Sequence, residues 1–208
     1  GEPNWCVWKK VGRKRDDGIT KINKVPWDTV ADRAIDAKVA AQYTLEETLV
    51  RLSRVQNSAK SYGVGYLCRE GSTVVGLDLD KCVDGDVIAP WARELIGPSP
   101  VYVELSPSGT GLRVLLPRQP GDDHFWEGMS PSQNAGLGFF GADKRFITIT
   151  FQQIMGLSAI VDTPGIRDRV EAKRKEWAVA PRQSARQPIP FEVDPKVSAL
   201  FSHDSIVD

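Results

Sequence analysis

Cysteine is scarce in this chain and follows no pairing pattern. Cys6, Cys68 and Cys82 are scattered, odd in number and never spaced Cys-x-x-Cys. That argues against a disulfide framework and a zinc site, and fits a reducing, cytoplasmic setting in which all three fill apolar space. Net charge is also absent, with 27 Lys and Arg against 27 Asp and Glu. No global field draws such a protein to nucleic acid, so any contact of that kind must be local. No apolar run approaches the ~20 residues of a membrane span, and no signal-peptide pattern opens the chain. The motif Gly-x-x-x-x-Gly-Lys-Ser/Thr is missing, which excludes a P-loop ATPase or helicase within these residues. Internal repeats are missing too. The 208 residues are long enough for one well-buried domain with an appendage. Gly1 reads as a tag scar, and the chain is expected to be an excised piece of a longer protein.

Around one stretch the rest is organised: Val74-Val-Gly-Leu-Asp-Leu-Asp80. A short run rich in valine and leucine reads as a buried strand. Alternation along it puts Gly76, Asp78 and Asp80 on one face and Val75, Leu77 and Leu79 on the other. Two carboxylates at the end of an apolar strand repel each other and lose hydration. A divalent cation between them makes the pair tolerable.

Before this strand, residues 5–10 alternate and are aromatic, reading as an entry strand. Residues 9–17 form a basic stretch ending in Asp-Asp-Gly, a turn signal, and residues 22–27 form a second strand stopped by Pro26. Arg13, Lys14, Arg15, Lys21, Lys24 and Trp27 give a basic surface interleaved with tryptophan. It reads either as a solvated hairpin with Trp in the core, or as a phosphate-contacting edge with a stacking ring nearby. Thr44 and Glu47 have capping-box spacing and open an amphipathic helix. Residues 62–68 are a glycine-bearing strand, expected to pair through the 69–72 turn with the Asp78/Asp80 strand as a hairpin. Residues 89–96 are a helix with Pro90 in its first turn. Residues 101–105 and 112–116 are strands, residues 145–151 alternate cleanly and are expected to close the sheet, and residues 166–178 are a charged helix. Residues 181–193, rich in Pro, Arg and Gln, read as a tether. The domain is therefore placed at residues 1–178 and the tether at 179–208. Hairpins mixed with helices predict an α+β (mixed α/β) domain.

Ser106-Pro-Ser-Gly-Thr-Gly-Leu-Arg113 joins two of these strands. Gly109 and Gly111 let the backbone turn sharply and expose N–H groups, while Ser108 and Thr110 add hydroxyls. Arg113 follows, where a guanidinium can grip phosphate oxygens in a fork. Alone this is a plain hairpin turn as readily as a phosphate loop. Beside an Asp-x-Asp strand it makes a metal–triphosphate site.

In order, the chain carries Trp5-x-x-Trp8, Lys24-Val-Pro-Trp27, Gly63-Val-Gly-Tyr66, Gly76-Leu-Asp-Leu-Asp-Lys-Cys82 and Pro90-Trp-Ala-Arg93. Then come Glu104-Leu-Ser-Pro-Ser-Gly-Thr-Gly-Leu-Arg-Val114 and Arg145-Phe-Ile-Thr-Ile-Thr150. This set resembles the bifunctional DNA primase/polymerase (Prim-Pol) domain of phages and plasmids, in the archaeo-eukaryotic primase superfamily. The resemblance implies a fold with a central, mostly antiparallel, RRM-like sheet flanked by helices. It implies template-directed nucleotidyl transfer, as primase or DNA polymerase, in replication of a mobile element. Asp78 and Asp80 match the metal and catalytic motif. Ser108 and Arg113, with Gly109, Thr110 and Gly111, match the nucleotide loop. Lys24 and the neighbouring basic positions match a segment near template or incoming nucleotide, and the Arg145-Phe strand matches the motif that normally follows a third acidic metal ligand. Arg13, Lys21, Lys24, Trp27, Lys144 and Arg145 are the expected nucleic-acid contacts. The partners implied are a DNA template and primer, dNTP or NTP, and a helicase C-terminal to this region. Asp78 and Asp80 would hold two Mg²⁺ or Mn²⁺ ions ~3.5–4 Å apart.

One position departs from the family, which carries a third acid a few residues before the Arg-Phe strand. This chain has Gly138 or Phe139 there, and Asp143 is the nearby carboxylate. Either Asp143 serves as a third metal ligand, or the site works with two carboxylates, or Asp143 shapes a turn. The departure leaves a rival of another class, a primase-like domain that binds nucleic acid or nucleotide without polymerising. Asp78-Leu-Asp-Lys-Cys82 also imitates a haloacid-dehalogenase-type phosphatase, although that motif opens its domain and the 106–113 loop has no counterpart there. A glycosyltransferase Asp-x-Asp is a weaker match still.

Overall fold

A computed structural model of the chain describes residues 2–14, 16, 18–38, 40, 43–55, 61–98, 101–130, 134–141, 145–156, 159–161 and 163–179. Arg15, Asp17, Asp143, Lys144 and residues 180–208 of the expected tether lie outside them, while its first residue, Val179, ends the last helix. In chain order the elements are β1 (Trp5–Lys14), β2 (Thr20–Asp28), β3 (Arg33–Ala34), α1 (Leu45–Val55), β4 (Tyr62–Cys68), β5 (Val74–Asp80), β6 (Val83–Asp84), β7 (Val87–Ile88) and α2 (Pro90–Ile96). They continue with β8 (Tyr102–Leu105), β9 (Leu112–Pro117), β10 (Phe125–Met129), β11 (Gly136–Phe140), β12 (Arg145–Ile149), β13 (Gln153–Met155) and α3 (Ile166–Val179). The architecture is mixed α/β, and every pairing between these strands is antiparallel.

Two sheets, rather than one central sheet, organise the molecule. The first runs β12-β4-β1-β2-β3 and the second β10-β11-β5-β9-β8-β13, with β6-β7 as a small separate hairpin. The expected hairpin of β4 with β5 is therefore wrong: β4 pairs with β1 and β12, and β5 pairs with β9 and β11. At the 69–72 turn the chain passes from one sheet to the other. Ser72 bonds back to Arg69, and the Arg118 guanidinium holds the carbonyls of Arg69 and Ser72. The strand expected to close the sheet, β12, is an edge strand of the first sheet and not a neighbour of the aspartate strand. Pro26 does not stop β2 either. It lies within the strand opposite Trp8, and β2 runs on to Asp28.

Three apolar clusters follow from this arrangement. Val75, Leu77 and Leu79 of β5, with Val103, Val114 and Leu137, meet Trp91 and Leu95 of α2 and Ile166, Val170 and Trp177 of α3. The Trp91 and Trp177 rings meet edge to face at 5.3 Å. On the other face of the second sheet, Leu115 and Phe140 pack on Val64, Tyr66, Ile147 and Ile149 of the first sheet. Gly76 lets the sheets approach closely there: a Cβ would come 2.6 Å from Ile147 Cδ1, and the isoleucine would have to shift. A smaller cluster of Cys6, Ala40 and Leu67 closes the outside of the first sheet. All three cysteines are buried and free, and burial pushes their thiols up to about 12. α1 begins at the expected capping box, in which Thr44 N–H donates to Glu47 Oε2 at 2.8 Å and Glu47 N–H to Thr44 Oγ1 at 3.2 Å. Among the described residues no helix is long and apolar enough to cross a membrane.

Candidate active site

Alternation along β5 sets the site. Val75, Leu77 and Leu79 are wholly buried beneath the helices, which turns Asp78 and Asp80 to the face shared with the first sheet. Arg113 stands opposite Asp78 on β9, and its guanidinium bonds the Asp78 carboxylate. The same guanidinium donates from Nε to Thr148 Oγ1 of β12 at 3.4 Å, so it ties the two sheets together at this point. Burial pushes the Asp78 carboxyl up to about 7; Arg113 pulls it back down, and neighbouring Asp80 adds to the rise. Lys24 of β2 reaches the same place from the first sheet. Desolvation lowers its ammonium below the ordinary lysine range, reinforced by Arg113 and opposed by Asp78 and Asp80. Its Nζ lies 6.0 Å from the centre of the Trp8 ring.

The loop from β8 to β9 is braced by its own hydroxyls. Ser106 Oγ and Ser108 Oγ are 3.0 Å apart, as are Ser108 Oγ and Thr110 Oγ1. Gly109 takes a left-handed φ of 75° and bonds Ser106 O, while Gly111 N–H donates to Ser106 Oγ. Two of the N–H groups expected to face a phosphate are thus spent inside the loop. The exposed hydroxyls of Ser108 and Thr110 are left to meet a ligand. Thr110 O accepts from Cys82 N–H and Val83 N–H, pinning the loop to the chain just after Asp80. Gly111 sits so close to β5 that a Cβ would come 2.6 Å from Leu79 O.

Among the residues expected to act together, Asp78, Asp80, Arg113, Lys24 and the 106–111 loop converge. Arg13, Lys21 and Trp27 do not join them. By the register of β1 with β2 they lie on the opposite face from Lys24, Lys10 and Trp8. There the Lys9 ammonium covers the Trp27 ring at 4.1 Å, and Trp27 Nε1 donates to Asp32 Oδ1 at 3.0 Å. Arg145, at the start of β12, stacks its guanidinium on Phe125 at 3.7 Å.

The residues present suit a divalent cation in chemistry and in space. Two carboxylates on one strand face are hard oxygen donors of the kind Mg²⁺ and Mn²⁺ take. On β11 both of their neighbours are glycines, Gly138 opposite Asp78 and Gly136 opposite Asp80. A Cβ on Gly136 would stand 3.2 Å from Asp80 Cβ and 3.5 Å from Asp80 Oδ2, filling the open space. That space is a cavity of about 220 Å³ lined by Asp78, Asp80, Glu127, Met129 and Gly136 among others. Glu127 escaped the sequence reading. It lies on β10 opposite Gly138, so that one residue without a side chain separates it from Asp78 across the sheet. Its visible signal is the alternation of Phe125, Glu127 and Met129 around Trp126, a strand pattern next to a glycine-rich strand. Among the described residues no group of three His, Cys, Asp or Glu is already gathered to hold a metal. The aspartates stand as a pair.

Comparison with known proteins adds one relation. The chain is similar to a DNA primase-polymerase. The protein is that of Nitratiruptor phage NrS-1, 30% identical over 115 residues that make up 54% of this chain. The matched part is 14% of the phage protein's own length. No family model matches the chain.

Proposed function

We propose that this chain is a primase-polymerase domain of the archaeo-eukaryotic primase kind, which joins nucleotides on a DNA template in a metal-dependent reaction. The observation that carries the reading is the convergence of Asp78, Asp80, Arg113 and Lys24, from both sheets, beside the 106–111 loop. The similarity to a phage DNA primase-polymerase supports it.

In this reading a 3′-hydroxyl attacks the α-phosphorus of a nucleoside triphosphate as the bond to pyrophosphate breaks. Such a reaction calls for positioning and charge neutralisation more than covalent help from the protein. Asp78 and Asp80 would hold Mg²⁺ or Mn²⁺, which supplies positive charge where the attacking and leaving oxygens develop negative charge. Glu127, across Gly138, offers a further oxygen on the same cavity. Arg113 gives its fork to phosphate oxygens once it leaves Asp78, and Lys24 adds a partly desolvated ammonium beside it. Ser108 and Thr110 donate hydroxyl hydrogens at the loop tip.

A phosphatase of the dehalogenase type opens its domain on the Asp-x-Asp strand, whereas four strands and a helix precede β5 here. A second reading, binding without polymerisation, is favoured by one observation: Gly138 or Phe139 stands where the resembling family carries an acid, and the residue directly opposite Asp78 is Gly138, which has no side chain.

The test is extension of a labelled primer on a DNA template with dNTPs or NTPs and Mg²⁺ or Mn²⁺, beside Asp78→Ala and Asp80→Ala. Metal-dependent extension is expected in the wild type and abolished in both variants, with the fold retained. Near-normal extension by either variant overturns the metal assignment. A wild type that binds nucleotide or DNA yet never extends establishes the binding-module reading.

A further inference from the structure

A cavity larger than the one at the aspartates lies away from them, where α1, the first sheet and the 106–111 loop meet. Its volume is about 600 Å³, and Trp8, Lys10, Leu52, Tyr62, Pro107 and Phe151 are among its lining residues. Space of this size takes a small ligand or one nucleotide unit.

Phe151 is the unusual member. It is 48% exposed and holds a left-handed φ of 60°, a conformation in which a bulky residue is a genuine outlier. Its neighbours impose that conformation. Glu104, wholly buried, accepts from Thr150 N–H at 2.9 Å through Oε1 and from Phe151 N–H at 2.9 Å through Oε2. Tyr102 OH donates to Glu104 Oε2 at 2.9 Å, and Thr150 Oγ1 bonds Leu105 O at 2.7 Å. A buried carboxylate is costly unless fully hydrogen-bonded, and here its bonds fix the backbone that presents one exposed ring. Trp5 stacks on that ring at 6.4 Å and 25°. Strain held in place by surrounding structure clusters at ligand-clamping sites.

The charges around the cavity single out an anionic polymer. Lys10 lines it and lies opposite Lys24 on the neighbouring strand, and Lys24 feels Asp78 and Asp80. Positive groups thus run from the cavity rim to the candidate active site, while Pro107 joins the rim to the 106–111 loop. A phosphate chain following the lysines would bring a base over the cavity. Flat aromatic faces beside a basic track are how proteins hold single strands without regard to sequence.

We infer that this cavity binds an unpaired base of a DNA single strand, stacked on Phe151, with Lys10 and Lys24 holding the flanking phosphates. The inference rests on the nucleic-acid reading above in one respect, that a single strand is the ligand.

The experiment measures fluorescence anisotropy of the full chain with a labelled oligothymidylate of about 12 nucleotides. A strand of the same length made of abasic units, with equal charge and no bases, is run beside it. Wild type is expected to bind the oligothymidylate more tightly than the abasic strand. Phe151→Ala should weaken oligothymidylate binding about tenfold and leave abasic binding unchanged, while Phe151→Trp, which keeps a stacking face, retains wild-type affinity. Unchanged oligothymidylate affinity in Phe151→Ala overturns the inference and leaves the active-site reading intact. Equal wild-type affinity for the two strands also overturns it, because charge alone would then explain binding. A wild type that binds neither strand sinks the inference together with the nucleic-acid reading.

Discussion

Arg113 and Asp78 hold each other in the free protein. In the proposed reaction each must release the other: the guanidinium would compete with a metal for the carboxylate, and the carboxylate with phosphate for the guanidinium. Arg113→Ala should therefore raise the apparent dissociation constant for nucleotide by about tenfold or more, the loss typical of a charge-assisted bond. In a Mn²⁺ titration without nucleotide, the same variant should bind the ion at least as tightly as wild type. Weaker Mn²⁺ binding together with unchanged nucleotide affinity would contradict both halves. The paired aspartates were legible in the sequence because alternation along one strand puts both on one face, and Arg113 because it directly follows the glycine-bearing loop. The pairing of Asp78 with Arg113 was not, because it depends on the register of β5 against β9. Glu127 was hidden for the same reason: two registers, β10 on β11 and β11 on β5, bring it to the cavity.

Strands and loops show where local signals suffice. The capping box of α1, Pro90 at the start of α2 and the turn between β1 and β2 are local, and the sequence carried each of them. The β4–β5 hairpin failed although its turn residues looked right, because partner choice was decided by cluster formation. Val64, Tyr66 and Cys68 bury against one cluster, while Val75, Leu77 and Leu79 bury against another. β11 was missed since Gly136-Leu-Gly-Phe-Phe140 has weak strand propensity, and its two glycines fit beside the aspartates rather than mark a loop. The loop at 106–111 gives an element-scale prediction. Gly111→Ala drives a methyl against Leu79 O, while Gly109→Ala meets open space and strains only the backbone. Urea denaturation should show a loss of about 1–3 kcal/mol for the former and about 1–2 kcal/mol for the latter. Gly111→Ala should also impair nucleotide binding, because the loop is pinned at Thr110 O to the segment after Asp80.

At the scale of the whole molecule, buried and exposed carboxylates set opposite limits on stability. Hydrogen bonds lower the carboxyls of Asp28 and Glu47, and those to Tyr66 and Thr73 lower Glu2 despite its partial burial. These three favour the folded state above their ordinary range, and the benefit is lost as pH falls through their folded values. Burial raises Asp78 to about 7 and raises Glu104. The folded protein then holds protons that the unfolded chain has shed, so stability from these two is lost as pH rises toward neutrality. Thermal melts should peak in mildly acidic buffer and decline toward pH 8, and Mn²⁺ should offset the decline by screening Asp78. A melting temperature that keeps rising from pH 6 to pH 8 without metal would rule this out.

The position of β12 bears on how the chain reaches its folded state. β4 finds one partner in β1, synthesised before it, and the other only in β12, which follows most of the second sheet. Until β12 emerges, one edge of β4 stays open, and such edges recruit foreign strands. The interleaving also makes many of the contacts non-local, which slows folding and couples the two sheets into one event. The molecule should unfold in a single transition by every probe. A chain stopped after Gly141 should aggregate rather than keep either sheet.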